Sequence, residues 1–226
     1  MSLSNASGAM LRVSDQSVAN PGGIALTIAN GFTNSGTIEL VTNAGNCCGP
    51  SSATLNVTTG TLTNATGTTI RSTGLSATTN TLNAQVTNQG TIEVNQPLAV
   101  TNASRTFTSS AGTLNVASAQ TLTINDGTTT PGAGTAFSGS GKVKLAGTSH
   151  TLNLASDLTL ATSTGVALDL NGTSAATVTS GTAGTKLIVP VGGELVLSND
   201  TISSQVDLAN SGTVIGSSGS STINGG

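Results

Sequence analysis

Tryptophan and tyrosine are absent from this 226-residue chain, and Phe32, Phe107 and Phe137 are its only aromatic residues. Charge is scarce too: six Lys and Arg with nine Asp and Glu make up 7% of the sequence, for a formal net charge of −3. Soluble domains carry about a quarter charged residues. Six cations leave no basic footprint and three Phe supply no stacking platform, which excludes nucleic acid as a partner. No apolar run approaches the ~18 residues of a membrane-crossing helix, so no insertion of this segment into a membrane is expected. The start, Met1-Ser2-Leu3-Ser4-Asn5-Ala6-Ser7-Gly8, lacks the cationic and apolar regions of a secretory signal.

Cysteine is limited to the adjacent pair Cys47 and Cys48, and histidine to His150. Neighbouring cysteines cannot join distant parts of a fold. They read as two thiols or a vicinal disulfide in a surface loop, with a redox or intermolecular link as the alternative. A metal centre needs more ligands than these, and no metal or other cofactor is expected.

What fills the chain instead is small and polar: 41 Thr, 29 Ser, 20 Asn and 29 Gly. Such a composition suits a disordered chain, which cannot bury enough apolar surface to offset its conformational entropy. The distribution of Leu, Ile and Val argues otherwise. They fall in bursts of four to six residues with polar partners at alternate positions, as in Ile24-Ala25-Leu26-Thr27-Ile28 and Thr54-Leu55-Asn56-Val57, each closed by Gly, Asn or Asp. Alternation puts one apolar face on each strand, and β-branched Thr suits the other. No helical period is present.

Two words recur. Thr33-Asn34-Ser35-Gly36-Thr37-Ile38-Glu39-Leu40 returns as Thr87-Asn88-Gln89-Gly90-Thr91-Ile92-Glu93-Val94 and, degraded, as Ala209-Asn210-Ser211-Gly212-Thr213-Val214-Ile215. Thr-Leu-Asn-Val/Leu stands at 54–57, 113–116 and 151–154, with a partial copy at 81–84. In the first word Asn34, Asn88 and Asn210 are expected to bond their own backbone. Gly36, Gly90 and Gly212 are expected at positive φ, and Thr37, Thr91 and Thr213 to open the strands that follow. Strand-entry glycines lie 19 to 30 residues apart.

Units of that length stack into a β-helix, each burying its apolar side only against its neighbours. The expected fold is therefore all-β with little or no helix: one parallel, right-handed β-solenoid of about seven coils over residues 1–226. Stacking should set Thr37 with Thr91, and Leu55 with Leu114, in ladders. A β-sandwich is the alternative. Residues 1–10 read as a tag remnant or flexible start, and 43–52 and 126–141 as loops ejected from the coil.

Chemistry is hard to assemble from what is present. Glu39 and Glu93 occupy equivalent repeat positions and could pair for acid–base work, but an outward solubilising role is the plainer reading. His150 follows Thr148 and Ser149 with no acid near it in sequence, and reads as a solvated residue at a strand start.

The Asn-Ser-Gly-Thr-Ile-Glu-Leu word, followed by Thr-Leu-Asn-Val blocks, resembles the passenger regions of bacterial surface exoproteins: autotransporters and filamentous-haemagglutinin-like adhesins. Asn20-Pro21-Gly22-Gly23-Ile24 is similar to the Asn-Pro-Asn-Gly-Ile word of the two-partner secretion domain, with Gly22 in place of Asn. The resemblance implies secretion, a right-handed parallel β-helix, and a role as adhesin or rigid stalk, with no catalytic residue.

The expected function is thus an extracellular or cell-surface structural and adhesive module. Its partner would be a host-cell or matrix glycan or protein surface, or copies of itself. Alternatives are a fibre subunit stacking end to end, a glycan-active enzyme, and an ice-binding protein. The last needs a regular Thr-x-Thr array. Thr61-Leu62-Thr63, Thr106-Phe107-Thr108, Thr121-Leu122-Thr123 and Thr177-Val178-Thr179 supply the words, but at uneven separations of 45, 15 and 56 residues.

Overall fold

Every strand built on alternating Thr and Leu, Ile or Val has one apolar side that a single turn of chain cannot cover. The computed structural model, which describes residues 3–14, 23–43, 50–75, 78–101, 103–160, 167–170 and 175–225, shows how they are covered. All strand pairs are parallel, successive strands of a ladder lie about 24 residues apart, and the chain winds a β-solenoid of about eight turns, against the seven expected. Among the described residues there is no helix.

Each turn visits three faces in order. Face I is a six-stranded sheet of Met10–Ser14, Thr37–Thr42, Thr69–Gly74, Thr91–Val94, Thr113–Val116 and Ala136–Gly139. A separate sheet of Leu158–Thr159, Thr185–Val189 and Val206–Asn210 takes the same place in the later turns. Faces II and III are two limbs of one thirteen-stranded sheet. Long strands such as Ile24–Asn34, Ala53–Asn64 and Thr121–Pro131 run along face II, turn a corner and continue on face III. The ladder loses register at those corners, between Asn30 and Phe32, Asn56 and Thr61, and Asn125 and Gly127.

Stacking turns the inward residues into columns. On face I, Ile38, Ile70 and Ile92 stack with no exposure at all. Leu55, Leu82, Val100 and Ile124 do the same on face II. Phe32, Leu62, Val86 and Phe107 form the buried column on face III. Burying each such side chain contributes roughly 1.5–3 kcal/mol, and the interior is narrow enough that no Trp or Tyr is needed to fill it.

Four expectations are corrected. Residues 126–141 are not an ejected loop. Thr121–Pro131 and Ala136–Gly139 are strands of the coil, because Asp126 at φ 58° and Gly127 at φ 71° bend the chain sharply enough to stay in the stack. Of the start, residues 3–10 are not a flexible tag: Asn5 is buried, and its amide donates to Asn34 Oδ1 at 2.6 Å and to the Thr37 carbonyl at 2.9 Å. Leu55 and Leu114 share no ladder, since the Thr-Leu-Asn word sits on face II at 54–57, on face I at 113–116 and on face III at 151–154. The word encodes a strand with one side in and one side out, which any face accepts.

Fourth, Gly36, Gly90 and Gly212 are not at positive φ. They are required by close approach: a Cβ would overlap the carbonyl oxygens of Ala6 and Ala9 at Gly36, of Ala65 and Thr68 at Gly90, and of Pro190 and Gly193 at Gly212. Around 43–52, Asn43 and Ser51 pair antiparallel. Residues 44–49 of the expected loop, with Cys47 and Cys48, lie outside the described residues.

Candidate functional site

At the corner from face III to face I the repeated Asn residues build a buried amide ladder. Asn5 donates to Asn34, Asn34 Nδ2 to Asn64 Oδ1 at 2.8 Å, and Asn64 Nδ2 to Asn88 Oδ1 at 2.8 Å. Asn34, Asn64 and Asn88 are fully buried. Asn64 belongs to Thr63-Asn64-Ala65-Thr66-Gly67-Thr68-Thr69-Ile70, a copy of the first word whose two inserted residues disguise it in the sequence. The ladder stops where Ser109 takes the next rung. Asn210 is exposed and sits at the other corner, between faces I and II, where its Oδ1 accepts from Gly212 N at 3.0 Å. Thr37, Thr69, Thr91 and Thr113 form one row at the start of face I, and Thr213 opens a face II strand. These residues are architectural.

The carboxylates do not assemble a site. On face I, Arg12, Glu39, Arg71 and Glu93 stand in register, so Arg71 separates the two glutamates. Glu39 is buried under its neighbours, with Oε2 on Arg12 Nε and Oε1 2.8 Å from Arg71 Nε. On face II, Lys142 Nζ lies 3.2 Å from Asp169. Asp200, buried at a corner, accepts from Ala176 N at 2.8 Å and Ser198 N at 2.6 Å. Its burial nevertheless pushes its carboxyl above the usual range.

His150 is buried rather than solvated, at 4% exposure. It faces Gly127 of the preceding turn, and its Nε2 lies 3.0 Å from Thr129 Oγ1. Burial drives its pKa down to about 4, against the raising effects of Asp126 and the Ala146 carbonyl. Asp126, next to Gly127, is the acid that sequence proximity could not find. Its Oδ1 accepts from the backbone N of Thr148 at 2.6 Å and of Ser149 at 3.4 Å, which holds its pKa below the ordinary carboxylate value. Thr129 points into the core at 6% exposure, so its hydroxyl is out of reach of a substrate. No group of three or more His, Cys, Asp or Glu among the described residues could hold a metal ion.

Face III is organised differently. Its outward positions form two rows. One runs through Thr61, Gln85, Thr106, Thr128, Thr151, Thr177, Thr201 and Thr222, and the other through Thr33, Thr63, Thr87, Thr108, Thr130, Asn153 and Thr179. Three of the four Thr-x-Thr words, at 61–63, 106–108 and 177–179, lie here, while Thr121-Leu122-Thr123 lies on face II. Among the described residues no charged side chain occupies an outward position of this face. Lys142, Lys144, Asp169 and Glu194 sit on face II, Arg12, Glu39, Arg71, Glu93, Lys186 and Asp207 on face I, and Arg105, at the corner, turns away to the carbonyl of Val57 and to Asn83 Oδ1, both at 3.3 Å. Register within face III is unbroken, since the shifts fall at its corners and on face II.

Comparison with protein-family models, with curated proteins and with solved structures finds no match for this chain.

Proposed function

We propose that the chain is an extracellular structural and adhesive module of a bacterial surface or secreted protein, acting without catalysis by presenting face III to another surface. The observation that carries this reading is the uncharged double row of hydroxyl and amide side chains, both rows in register on six successive rungs and one of them continuing to eight. A stacked β-coil is stiff, and the β-branched Thr side chains lose little rotamer freedom when a surface docks on them. At ~4.8 Å per rung the row extends over roughly 34 Å, long enough for many weak contacts to add. The other two faces carry the ion pairs, Arg12–Glu39–Arg71 and Lys142–Asp169, that link successive turns.

Adsorption of labelled protein to cells, extracellular matrix and immobilised glycans tests this. Thr108→Lys with Thr130→Lys should abolish binding, and Thr54→Lys on face II should leave it unchanged. Equal binding by all three proteins refutes face III as the contact surface.

A further inference from the structure

Resting on that reading of face III as the contact surface, we infer that the surface it fits is a crystal lattice of water, and that the chain binds ice. Three features of the face point there. First, it is periodic in two directions: rungs repeat at ~4.8 Å across the strands, and outward residues within a rung repeat at roughly 6.6 Å along them. A ligand that engages such a lattice over several rungs has to be periodic itself, which the surface of an ordinary folded protein is not. Second, each rung offers a hydroxyl beside a methyl group on a β-branched carbon that restricts χ1, as in Thr106-Phe107-Thr108 and Thr128-Thr129-Thr130. The hydroxyls hold water at lattice-like positions, and the methyls keep the water between them from bonding elsewhere. Third, charge is excluded. An ammonium or carboxylate would impose its own hydration shell on the array, and the described charges all stand on the other faces or at corners.

Other occupants fit less well. Crystalline polysaccharide is usually gripped by aromatic platforms, whereas Phe32 and Phe107 point inward and are buried. Protein interfaces draw their affinity from Tyr, Trp and Arg, none of which this face presents. The uneven spacing of the Thr-x-Thr words, which argues against ice when only sequence is read, disappears in three dimensions. Rungs such as Gln85-Val86-Thr87 and Thr151-Leu152-Asn153 fill the gaps between the words.

The test is uptake of fluorescently labelled protein into a slowly grown ice hemisphere, with thermal hysteresis measured on the same preparation. The wild-type chain is expected to enter the ice and to show hysteresis. Thr108→Lys with Thr130→Lys should be excluded and lose the hysteresis, and Thr54→Lys should behave as wild type. Thr108→Val, which keeps shape and removes one hydroxyl, should weaken uptake without loss of the far-ultraviolet signal of the folded coil, so that misfolding is separated from lost binding. Exclusion of the folded wild type from ice overturns the inference. So does equal loss in the face II control. If ice is refused but cells, matrix or crystalline cellulose still capture the protein through face III, only the ice assignment falls. If nothing captures it, the adhesive reading falls as well.

Discussion

Asn64→Ala should destabilise the solenoid far more than its size suggests. The Asn64 side chain makes four bonds: Nδ2 donates to Asn88 Oδ1 at 2.8 Å and to the Thr91 carbonyl at 3.2 Å, while Oδ1 accepts from Asn34 Nδ2 at 2.8 Å and Thr68 Oγ1 at 2.9 Å. After truncation Asn34 Nδ2 keeps the carbonyls of Gly36 and Thr69, both at 3.3 Å, and Thr68 keeps the Ala65 carbonyl at 2.6 Å. Asn88 Oδ1 is left without its donor in a position closed to water. With one orphaned group and a bond or two lost, each worth about 1–3 kcal/mol when buried, the sum is about 3 kcal/mol. For a chain of this length that lowers the melting temperature by roughly 6–12 °C if unfolding is cooperative.

Because turns of a solenoid open semi-independently, hydrogen exchange is the sharper assay. Protection should fall around Asn34, Asn64, Asn88 and their strands, and hold beyond Lys142. The control is Asn56→Ala on the outside of face II. There the bond from Asn83 Nδ2 to Asn56 Oδ1 at 3.1 Å is open to replacement by water, and the cost should be about 0.5 kcal/mol or less. If the two variants melt together, the amide ladder does not hold this corner and the argument fails.

Acid should weaken the fold through His150. With a folded pKa of about 4 against 6.5 in the unfolded chain, the unfolded state binds the extra proton between those values. Stability should therefore drop as pH falls from about 6.5 to 4, by up to about 3 kcal/mol, and His150→Gln should flatten that slope in urea titrations. Gly90→Ala should cost about 1–3 kcal/mol, because its Cβ meets backbone carbonyls that cannot swing aside. Gly67→Ala meets open space and should cost only about 1 kcal/mol, from its positive φ, by thermal melts of both variants. Glu39→Ala leaves Arg12 and Arg71 facing each other across one rung. It should be distinctly more destabilising than Arg12→Ala, with a penalty that shrinks as salt screens the two cations.

The sequence by itself determined that this chain is a parallel stack. Alternation of Thr with Leu, Ile and Val set strands with one apolar side, and recurrence of Thr-Asn-x-Gly-Thr-Ile set their stacking, since both signals are local and survive changes in turn length. The glycines of that word were legible as obligatory, but the reason was not. Their need comes from a carbonyl of the preceding turn, which only the winding brings near. The same holds for Glu39, whose neighbours are Arg12 and Arg71 rather than Glu93, and for Asp126, which reaches Thr148 and Ser149 across a rung. Most consequential is face III. Turn lengths vary, so words 15 to 56 residues apart look irregular along the chain, and Gln85-Val86-Thr87 does not look like one of them. Register, fixed by backbone pairing between turns, erases the variation in loop length and lays the rungs side by side. An uncharged double row made mostly of threonines is thus a property of the winding, and no window of sequence contains it.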